Sequence, residues 1–403
     1  QFQRHSPSAR AHLGALLVGA ARAASDGIAA STSSKADTHW SYWLRFLHQI
    51  ELSGDAFLQN FSILQRHQLL SAFAQAIRDC TFAQSPLGND KLVAGTCFAA
   101  VNNVAQAFEA SGFPNPTLDA VGKKSFLLHR LHRGFKNLDG STRHQKCISV
   151  DEILHMCTRV SSCPLLTAFQ QNYLLGFFFA MRSCENFKVS GPRRTCPIRL
   201  RNILFWKNNV IIPHSSTLLE SADKVTLHFE WQKKDARDVD VTQSTTHHPF
   251  LCPVRAAALI VRRLQAFQAA PDSFIFTYMS ASGKCRDVTG SIALQLLRAH
   301  IQSIDHRSLG ISPETIGLHS CRSSAAMAMY LNHVPVYTIM LLGRWSSDAF
   351  LRYIRQQVTD FGSDVASKMI QTPRFYHVPP LCRDDPRSHN PLSFAANSGL
   401  GSG

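Results

Sequence analysis

Two segments near the end of the chain constrain its fold and chemistry more than any other feature. They read GLHSCRSSAA, at residues 317–326, and LLGRWSSDAFLRYIR, at residues 341–355. His319 and Arg322 stand three positions apart, a spacing that places both side chains on one face of a helix. A tyrosine, Tyr353, follows about thirty positions after that arginine. This order of imidazole, guanidinium and phenol predicts a site that reacts with a phosphodiester of DNA.

A second arginine, far upstream, adds to this set of groups. Arg182 lies in the segment FFFAMRSCENFKV, three positions before Glu185. Transfer of a phosphodiester to a side chain builds up charge on the non-bridging oxygens, and without a metal ion fixed cations must balance that charge. Arginine suits this role because its planar guanidinium donates bidentately and stays protonated. Arg182 and Arg322 are therefore the candidate cations, although Arg182 alone could also cap the end of an apolar helix.

The reaction also needs a nucleophile with a nearby base. Tyr353 is the candidate nucleophile, and His319 is the natural partner for its phenol. Tyr330 and Tyr337 lie in the same helical region and are alternatives, since either could equally be a core tyrosine.

The leaving 5′ oxygen needs a general acid, and a lysine on the tip of a hairpin could supply the proton. The segment WQKKDARD, at residues 231–238, lies where the second and third strands of a small sheet would turn. Composition does not separate Lys233 from Lys234. The Q-K-x-D context favours Lys233 as the general acid.

The charge of the chain favours a polyanionic partner. The 403 residues include 42 Lys and Arg against 27 Asp and Glu, a formal charge of +15, and the pI is near 9.6. The excess is +6 over residues 1–150 and +9 over residues 151–403, as expected if both halves contact one polymer. An ordinary basic protein with a solvated surface is the alternative that charge alone leaves open.

Other patterns point away from metal sites, disulfides and membrane spans. The 11 cysteines include no C-x-x-C pair, and His247 with His248 has no further ligand at metal spacing. No apolar run reaches the roughly 18 residues that a membrane span requires. We therefore expect no metal, no cofactor, no small-molecule ligand and no membrane. The expected location is a reducing intracellular compartment, the nucleus in a eukaryote or the cytoplasm and nucleoid in a prokaryote.

Composition and periodicity divide the chain into two domains with flexible ends. Residues 1–37, rich in Ala and Ser, predict a flexible lead. Residues 38–138 have helical periodicity and predict a helical DNA-binding domain. The polar residues 139–147 predict a linker, residues 148–371 a catalytic domain, and residues 372–403 a flexible tail.

The predicted elements give a mainly α fold with a small antiparallel β-sheet, an α+β class. In the first domain, the last helix is expected from Leu118 to Phe135. In the second, Ser149 and Glu152 form a capping-box pattern that predicts a helix start, and a later apolar helix leads to Arg182. The period then changes to that of short strands, which read IRLRNILFW, NNVIIP, KVTLHFEWQ and RDVDVTQ. Helices are expected to return after these strands.

Three segments, HSCRSSAA, LLGRWSSDAFLRYIR and AMRSCENFKV, resemble the signature boxes of the tyrosine recombinases, the phage integrase family. The resemblance covers about residues 148–371, and more loosely the chain is similar to the recombinases of crypton- and DIRS-type mobile elements of eukaryotes. It implies a helical core-binding domain before the catalytic domain. It also implies these catalytic residues: Arg182, Lys233, His319, Arg322 and Tyr353. The family's His/Trp position falls on Trp345 or Arg344, and we favour Trp345 because an indole N–H can donate to a phosphate oxygen.

The resemblance implies cleavage and rejoining of double-stranded DNA through a 3′-phosphotyrosyl bond and a free 5′ hydroxyl, without metal or ATP. It implies a homotetramer on two DNA sites, with the tail after Val358 docking on a neighbouring protomer. Two alternatives remain open. One is a type IB topoisomerase, which relaxes DNA as a monomer, and the other is a domesticated DNA-binding protein that does not cleave.

Overall fold

The protein is mainly helical, with one four-stranded antiparallel sheet and one two-stranded sheet among its described residues, which confirms the predicted α+β class. The computed structural model describes residues 6–27, 30–82, 91–140, 145–159, 161–191, 195–232, 237–304, 311–347 and 351. The helices are α1 (Pro7–Asp26), α2 (Ala30–Gln49), α3 (Ile63–Arg78), α4 (Ala94–Ala110), α5 (Phe126–Leu138), α6 (Val150–Thr158), α7 (Pro164–Phe178), α8 (Ser183–Asn186), α9 (Pro253–Gln265), α10 (Gly290–Gln302), α11 (His319–Leu331) and α12 (Val336–Gly343). The strands are β1 (Ile203–Lys207), β2 (Val210–Ile212), β3 (Lys224–Trp231), β4 (Arg237–Ser244), β5 (Thr277–Met279) and β6 (Cys285–Asp287).

The N-terminal helices α2 to α5 enclose a core of their own. Trp43 is fully buried, and its ring meets Phe73 edge-on at 5.2 Å between centroids. Helix α3 begins with a capping box, in which the hydroxyl of Ser62 accepts from the amide of Gln65 and the Gln65 side chain accepts from the amide of Ser62. The apolar periodicity that predicted these helices therefore corresponds to their buried faces.

The residues predicted as a flexible lead are helical where the structure describes them. They form α1 and the start of α2, and Leu16 and Leu17 of α1 are more than half exposed. Alanine has the highest helix propensity of the amino acids, so an Ala-rich segment can form a helix without a buried stripe. Among the described residues, no helix is both long and apolar enough to cross a membrane.

Helix α5 begins at Phe126, so the prediction of a helix from Leu118 was wrong at this end. The intervening residues form a tight turn, in which the carboxylate of Asp119 accepts hydrogen bonds from the backbone amides of Val121 and Lys123. Gly122 has a φ of +77°, which is outside the helical region. Local side-chain hydrogen bonds of this kind compete with helix formation.

The two ends of the predicted linker bond to different regions. The carboxylate of Asp139, at the end of α5, pairs with Arg78 of α3 at 2.8 Å and also accepts from the amide of Ala94. The amide of Lys146 donates to the carbonyl of Thr315, just before α11. Helix α6 then begins after Ser149 as predicted, although the Ser149 side chain makes no capping hydrogen bond.

The four predicted strands form one sheet with the order β2-β1-β3-β4. The 3₁₀ turn at Leu200–Asn202 occupies the start of the first predicted strand, so β1 begins later, at Ile203. The longest pairing joins β3 to β4, and its last pair before the turn is Trp231 with Arg237. The turn that contains WQKKDARD therefore joins the third and fourth strands, not the second and third. The strands β5 and β6 were not predicted, because neither three-residue segment has the run of apolar β-branched residues that identified β2.

Helix α7 is the central helix of the second region and packs against α9, α10 and α11. Its residues from Asn172 to Phe177 are buried consecutively, and so on all sides, as expected for a helix in a core. It ends at Phe178, where Ala180 adopts a φ of +44° and redirects the chain. Arg182 is thus the residue before the short helix α8, and it does not cap the end of α7.

A close helix contact on α7 gives a test of this packing. A methyl group at Gly176 would overlap the side-chain amide of Asn186 and lie 3.4 Å from Sγ of Cys321. We expect Gly176→Ala to lower the free energy of unfolding by about 1–3 kcal/mol, because both neighbours are buried. Gly134→Ala in α5 is the control, because nothing lies within 4 Å of its added methyl. That control should stabilise α5 by roughly 0.5–1 kcal/mol. Urea titration followed by tryptophan fluorescence measures both changes, and equal effects would contradict this packing.

Candidate active site

Arg182 is placed by the turn after α7, and its guanidinium is partly exposed. Nη1 donates to Oε1 of Glu185 at 2.9 Å and to Oε1 of Gln232 at 3.1 Å. Among the described residues, Nε and Nη2 of Arg182 have no hydrogen-bond partner, and the side chain is 22% exposed. These two donors are therefore available for an anionic ligand such as a phosphate.

Glu185 is a fully buried carboxylate that binds two arginines. Its Oε2 accepts from the backbone amide of Arg182 at 2.8 Å and from Nη2 of Arg344 at 2.7 Å, while Oε1 binds the Arg182 side chain. A buried charge is tolerated only when it is paired and its lone pairs are satisfied. The carboxylate therefore fixes the two guanidinium groups on either side of it.

Arg344 ends α12 in the left-handed region, with a φ of +55°. Its side chain is 4% exposed, and Nε donates to Oε1 of Gln232 at 2.9 Å while Nη1 donates to the carbonyl of Phe179 at 3.1 Å. The guanidinium also lies over the ring of Phe229 at 3.7 Å. Burial lowers the pKa of Arg344, and the charge of Arg182 lowers it further, although Glu185 opposes this effect. A non-glycine residue in this conformation needs such contacts to persist.

Arg322, on α11, forms a second buried junction. Arg322 is 2% exposed, and its two Nη groups donate to the carbonyls of Ala180 and Gly343. The ring of Trp345 lies against the guanidinium, 4.2 Å from its carbon to the ring centroid. Arg322 thus joins α11, the turn after α7 and the end of α12. In this conformation it supplies positive charge from a buried position.

His319 is the first residue of α11 and is exposed on one side. Protein atoms on its other side desolvate the imidazole, which is the main reason that its pKa lies below the usual 6.5. The charges of Arg322 and Arg182 lower this pKa further. The imidazole is therefore neutral at pH 7 and able to accept a proton.

Trp345 serves as packing in this structure. Its ring covers Gly343 so closely that a methyl group there would overlap the indole, and it also contacts the two apolar clusters around α11. One face of the Trp345 ring packs against the guanidinium of Arg322. Trp345 is thus partly exposed and packed against Arg322, while the side chain of Arg344 is almost fully buried against Glu185, and the choice between them for the family's His/Trp position stays a prediction.

Three of the predicted side chains lie outside the described residues. They are Lys233, Lys234 and Tyr353. The described strands end at Trp231 and resume at Arg237, so the two lysines belong to the β3–β4 turn. The guanidinium of Arg237 lies over the Trp231 ring at 3.9 Å and closes the base of this turn. The structure therefore brings together Arg182, His319 and Arg322, and Gln232, the last described residue before the two lysines, contacts Arg182.

Sequence reasoning gave no role to Gln232 and left Arg344 as an alternative. Gln232 follows the alternating pattern of β3 and precedes two lysines, and this position is the signal that the sequence offers; its burial is visible only in the structure. Arg344 was recognisable from its place before Trp345, but its burial depends on tertiary contacts. The described residues contain no group of three His, Cys, Asp or Glu side chains placed to hold a metal ion.

Comparisons with known proteins give matches among solved structures only. No protein-family model and no curated protein matches the chain. A XerH site-specific recombinase bound to palindromic difH substrate, in a post-cleavage complex, is 12% identical over 82% of this chain and 79% of that chain, with a TM-score of 0.47. A lambda integrase dimer bound to a COC′ core site is 15% identical over 86% and 96%, with a TM-score of 0.45. The Tn1549 transposon integrase in complex with transposon right end DNA is 10% identical over 82% and 91%, with a TM-score of 0.44. At these values the similarity carries no conclusion about the family or the activity of this chain.

The pKa of His319 gives a direct test of the site's charges. We expect the imidazole to titrate below pH 6.5, and Arg182→Met should raise its pKa because removal of a positive charge stabilises the imidazolium. NMR of ¹³C-labelled histidine can follow the titration, with the signal assigned by its loss in His319→Gln. Arg66→Met, in the N-terminal helices, is the control and should leave the value unchanged. A wild-type pKa at or above 6.5 would contradict this description of the site.

Proposed function

We propose that the protein is a site-specific DNA recombinase of the tyrosine recombinase type. It breaks and rejoins strands of double-stranded DNA through a 3′-phosphotyrosyl intermediate, and it needs neither metal nor ATP. The observation that carries this proposal is the meeting of Arg182 with His319 and Arg322, which lie far apart in the sequence. Two cations and a neutral imidazole around a partly exposed surface suit a phosphodiester as substrate.

The reaction starts with attack by the phenolic oxygen of Tyr353 on the scissile phosphorus. The P–O bond to the 5′ oxygen breaks, and that oxygen takes a proton from Lys233, so a 3′-phosphotyrosyl bond and a 5′ hydroxyl result. His319 is neutral and accepts the phenolic proton. The free donors of Arg182 bind the non-bridging oxygens, and Arg322 adds positive charge from below. Attack by a 5′ hydroxyl from a second strand reverses these steps.

The N-terminal helices supply a second surface for DNA. Helix α5 presents exposed basic residues at a spacing that keeps them on one face, namely Arg130, Arg133 and Lys136, and the turn before the helix adds Lys123 and Lys124. No acidic residue occurs within α5. This face suits contact with backbone phosphates, and we propose that DNA lies against both it and the catalytic residues.

Exchange between two DNA sites implies four protomers, and this distinguishes the proposal from a type IB topoisomerase, which acts as a monomer. Two labelled duplexes that yield joined products would favour the recombinase. Relaxation of supercoiled DNA without exchange would favour the topoisomerase. The presence of the complete set of Arg182, Lys233, His319, Arg322 and Tyr353 in the sequence argues against the alternative of a binding protein that has lost catalysis.

Covalent trapping tests the proposed activity. A nicked suicide duplex loses a short fragment after cleavage, so the enzyme cannot rejoin the strand and stays attached. We expect a denaturation-resistant complex from the wild type and none from Tyr353→Phe, which removes only the phenolic oxygen. Arg182→Ala should bind DNA but cleave about 10²–10³ times more slowly, because transition-state charge loses a donor. A wild-type protein that binds DNA without forming the adduct would support the non-cleaving alternative.

The role of the lysine turn can be tested with a modified substrate. Lys233→Ala should slow cleavage by about 10²–10⁴, the usual contribution of a general acid. A substrate with sulfur at the bridging 5′ position should restore most of this loss, because a thiolate leaves without a proton. Lys234→Ala is the matched control and should cleave both substrates at nearly the wild-type rate. Rescue of Lys234→Ala alone would reverse the assignment of the two lysines.

The basic face of α5 predicts a change in salt dependence. Alanine at Arg130, Arg133 and Lys136 should weaken DNA binding and reduce the slope of log K against log salt by about 0.9 for each lost phosphate contact. Arg262→Ala is the control, since Arg262 is also exposed but already pairs with Glu220 at 3.2 Å. Fluorescence anisotropy over a salt series measures the slope. An unchanged slope in the triple variant would mean that α5 does not contact DNA.

A further inference from the structure

Gln232 occupies an unusual position between two arginines. It is the last described residue before the lysine turn, and it is 1% exposed. Its Oε1 accepts from Nη1 of Arg182 at 3.1 Å and from Nε of Arg344 at 2.9 Å. A single amide oxygen therefore binds two like-charged groups that come from different parts of the chain.

The backbone around Gln232 is held independently of its side chain. Trp231 pairs with Arg237 across the hairpin, and the carbonyl of Trp231 accepts from the amide of Cys196 at 2.9 Å. The base of the turn is thus fixed by the sheet, and the side chain of Gln232 extends from it to the two arginines.

Arg182 depends on Gln232 more than Arg344 does, because Arg182 has fewer other partners. Arg344 has further partners, namely Phe179, Glu185 and the ring of Phe229. The side chain of Arg182 has only Glu185 and Gln232 among the described residues, and both bind the same nitrogen, Nη1. Removal of the Gln232 oxygen would leave the Arg182 guanidinium with one side-chain partner and more freedom to rotate.

We propose that Gln232 is a positioning residue, which uses its side-chain oxygen to hold the Arg182 guanidinium in the orientation that binds a phosphate. Arg344 completes this arrangement from its buried position and contacts no phosphate itself. The inference rests on the proposed function, because it assigns to Arg182 the task of binding the scissile phosphate. Gln232 acts only through Arg182 and touches no substrate.

Two substitutions of similar length test this role. Gln232→Met removes the acceptor, and Gln232→Glu keeps an oxygen in its place. We expect Gln232→Met to lower the single-turnover rate of cleavage by about 10- to 100-fold, as misplaced catalytic groups do, with the affinity for DNA unchanged. Gln232→Glu should restore most of the rate. The bridging-sulfur substrate should not rescue Gln232→Met, because the defect is in charge stabilisation and the proton donor is intact.

A double-variant comparison separates positioning from general damage. When Arg182 is already alanine, Gln232→Met should have little further effect on cleavage, since Gln232 acts through that arginine. Rate losses that multiply would overturn the proposal, and so would a Gln232→Met variant that cleaves like the wild type. If Gln232→Met does not fold, Gln232→Asn withdraws the oxygen by one methylene and should show the same loss of rate.

The stability of the same variants tests the contact without any cleavage. If the wild type forms no covalent adduct, the proposed function fails, and the coupling of Gln232 to Arg182 is then judged from urea unfolding. The midpoint shift of Gln232→Met combined with Arg182→Met should be smaller than the sum of the two single shifts. Additive shifts would show that the two side chains do not interact, and the positioning role would be wrong.

Discussion

The buried carboxylate of Glu185 is the contact on which the rest of the site depends. A fully buried negative charge is strongly unfavourable unless cations and hydrogen-bond donors surround it. Arg182 and Arg344 satisfy it, and Gln232 then connects the same arginines to the β3–β4 hairpin. The end of α7, the end of α12 and the hairpin must therefore meet at one point. Loss of Glu185 would leave two cations without their counter-charge, so we regard it as structural as well as electrostatic.

Arg322 forms the second junction by a different means. Its guanidinium donates to two backbone carbonyls and packs against the face of Trp345. Its positive charge acts together with that of Arg182 on His319 and lowers the pKa of that imidazole. A lowered pKa of His319 suits the proposed reaction, because a neutral imidazole at pH 7 can take a proton from a phenol. The contacts of Glu185 fix the geometry of the site, and Arg322 adds positive charge to it.

The sequence predicts the elements better than it predicts the contacts between them. Apolar periodicity located the helices of the core and the four strands, because both patterns reflect burial on one face. Asp119 and Gly122 delayed the start of α5, since a local turn competes with the helix. The H-x-x-R pair was visible because it depends only on spacing along α11. Gln232 was not assigned and Arg344 was only an alternative, because a buried amide and a left-handed arginine acquire their contacts from residues distant in sequence.

The identity of the residue that becomes attached to DNA tests the central claim most directly. Protease digestion of the trapped complex, followed by mass spectrometry of the DNA-linked peptide, should return the segment around Tyr353. Tyr337, on α12, is 68% exposed and is the accessible competitor, while Tyr330 lies on α11. Attachment at Tyr353 would support cleavage by the cluster of Arg182, His319 and Arg322. Attachment at Tyr337 or Tyr330 would contradict it.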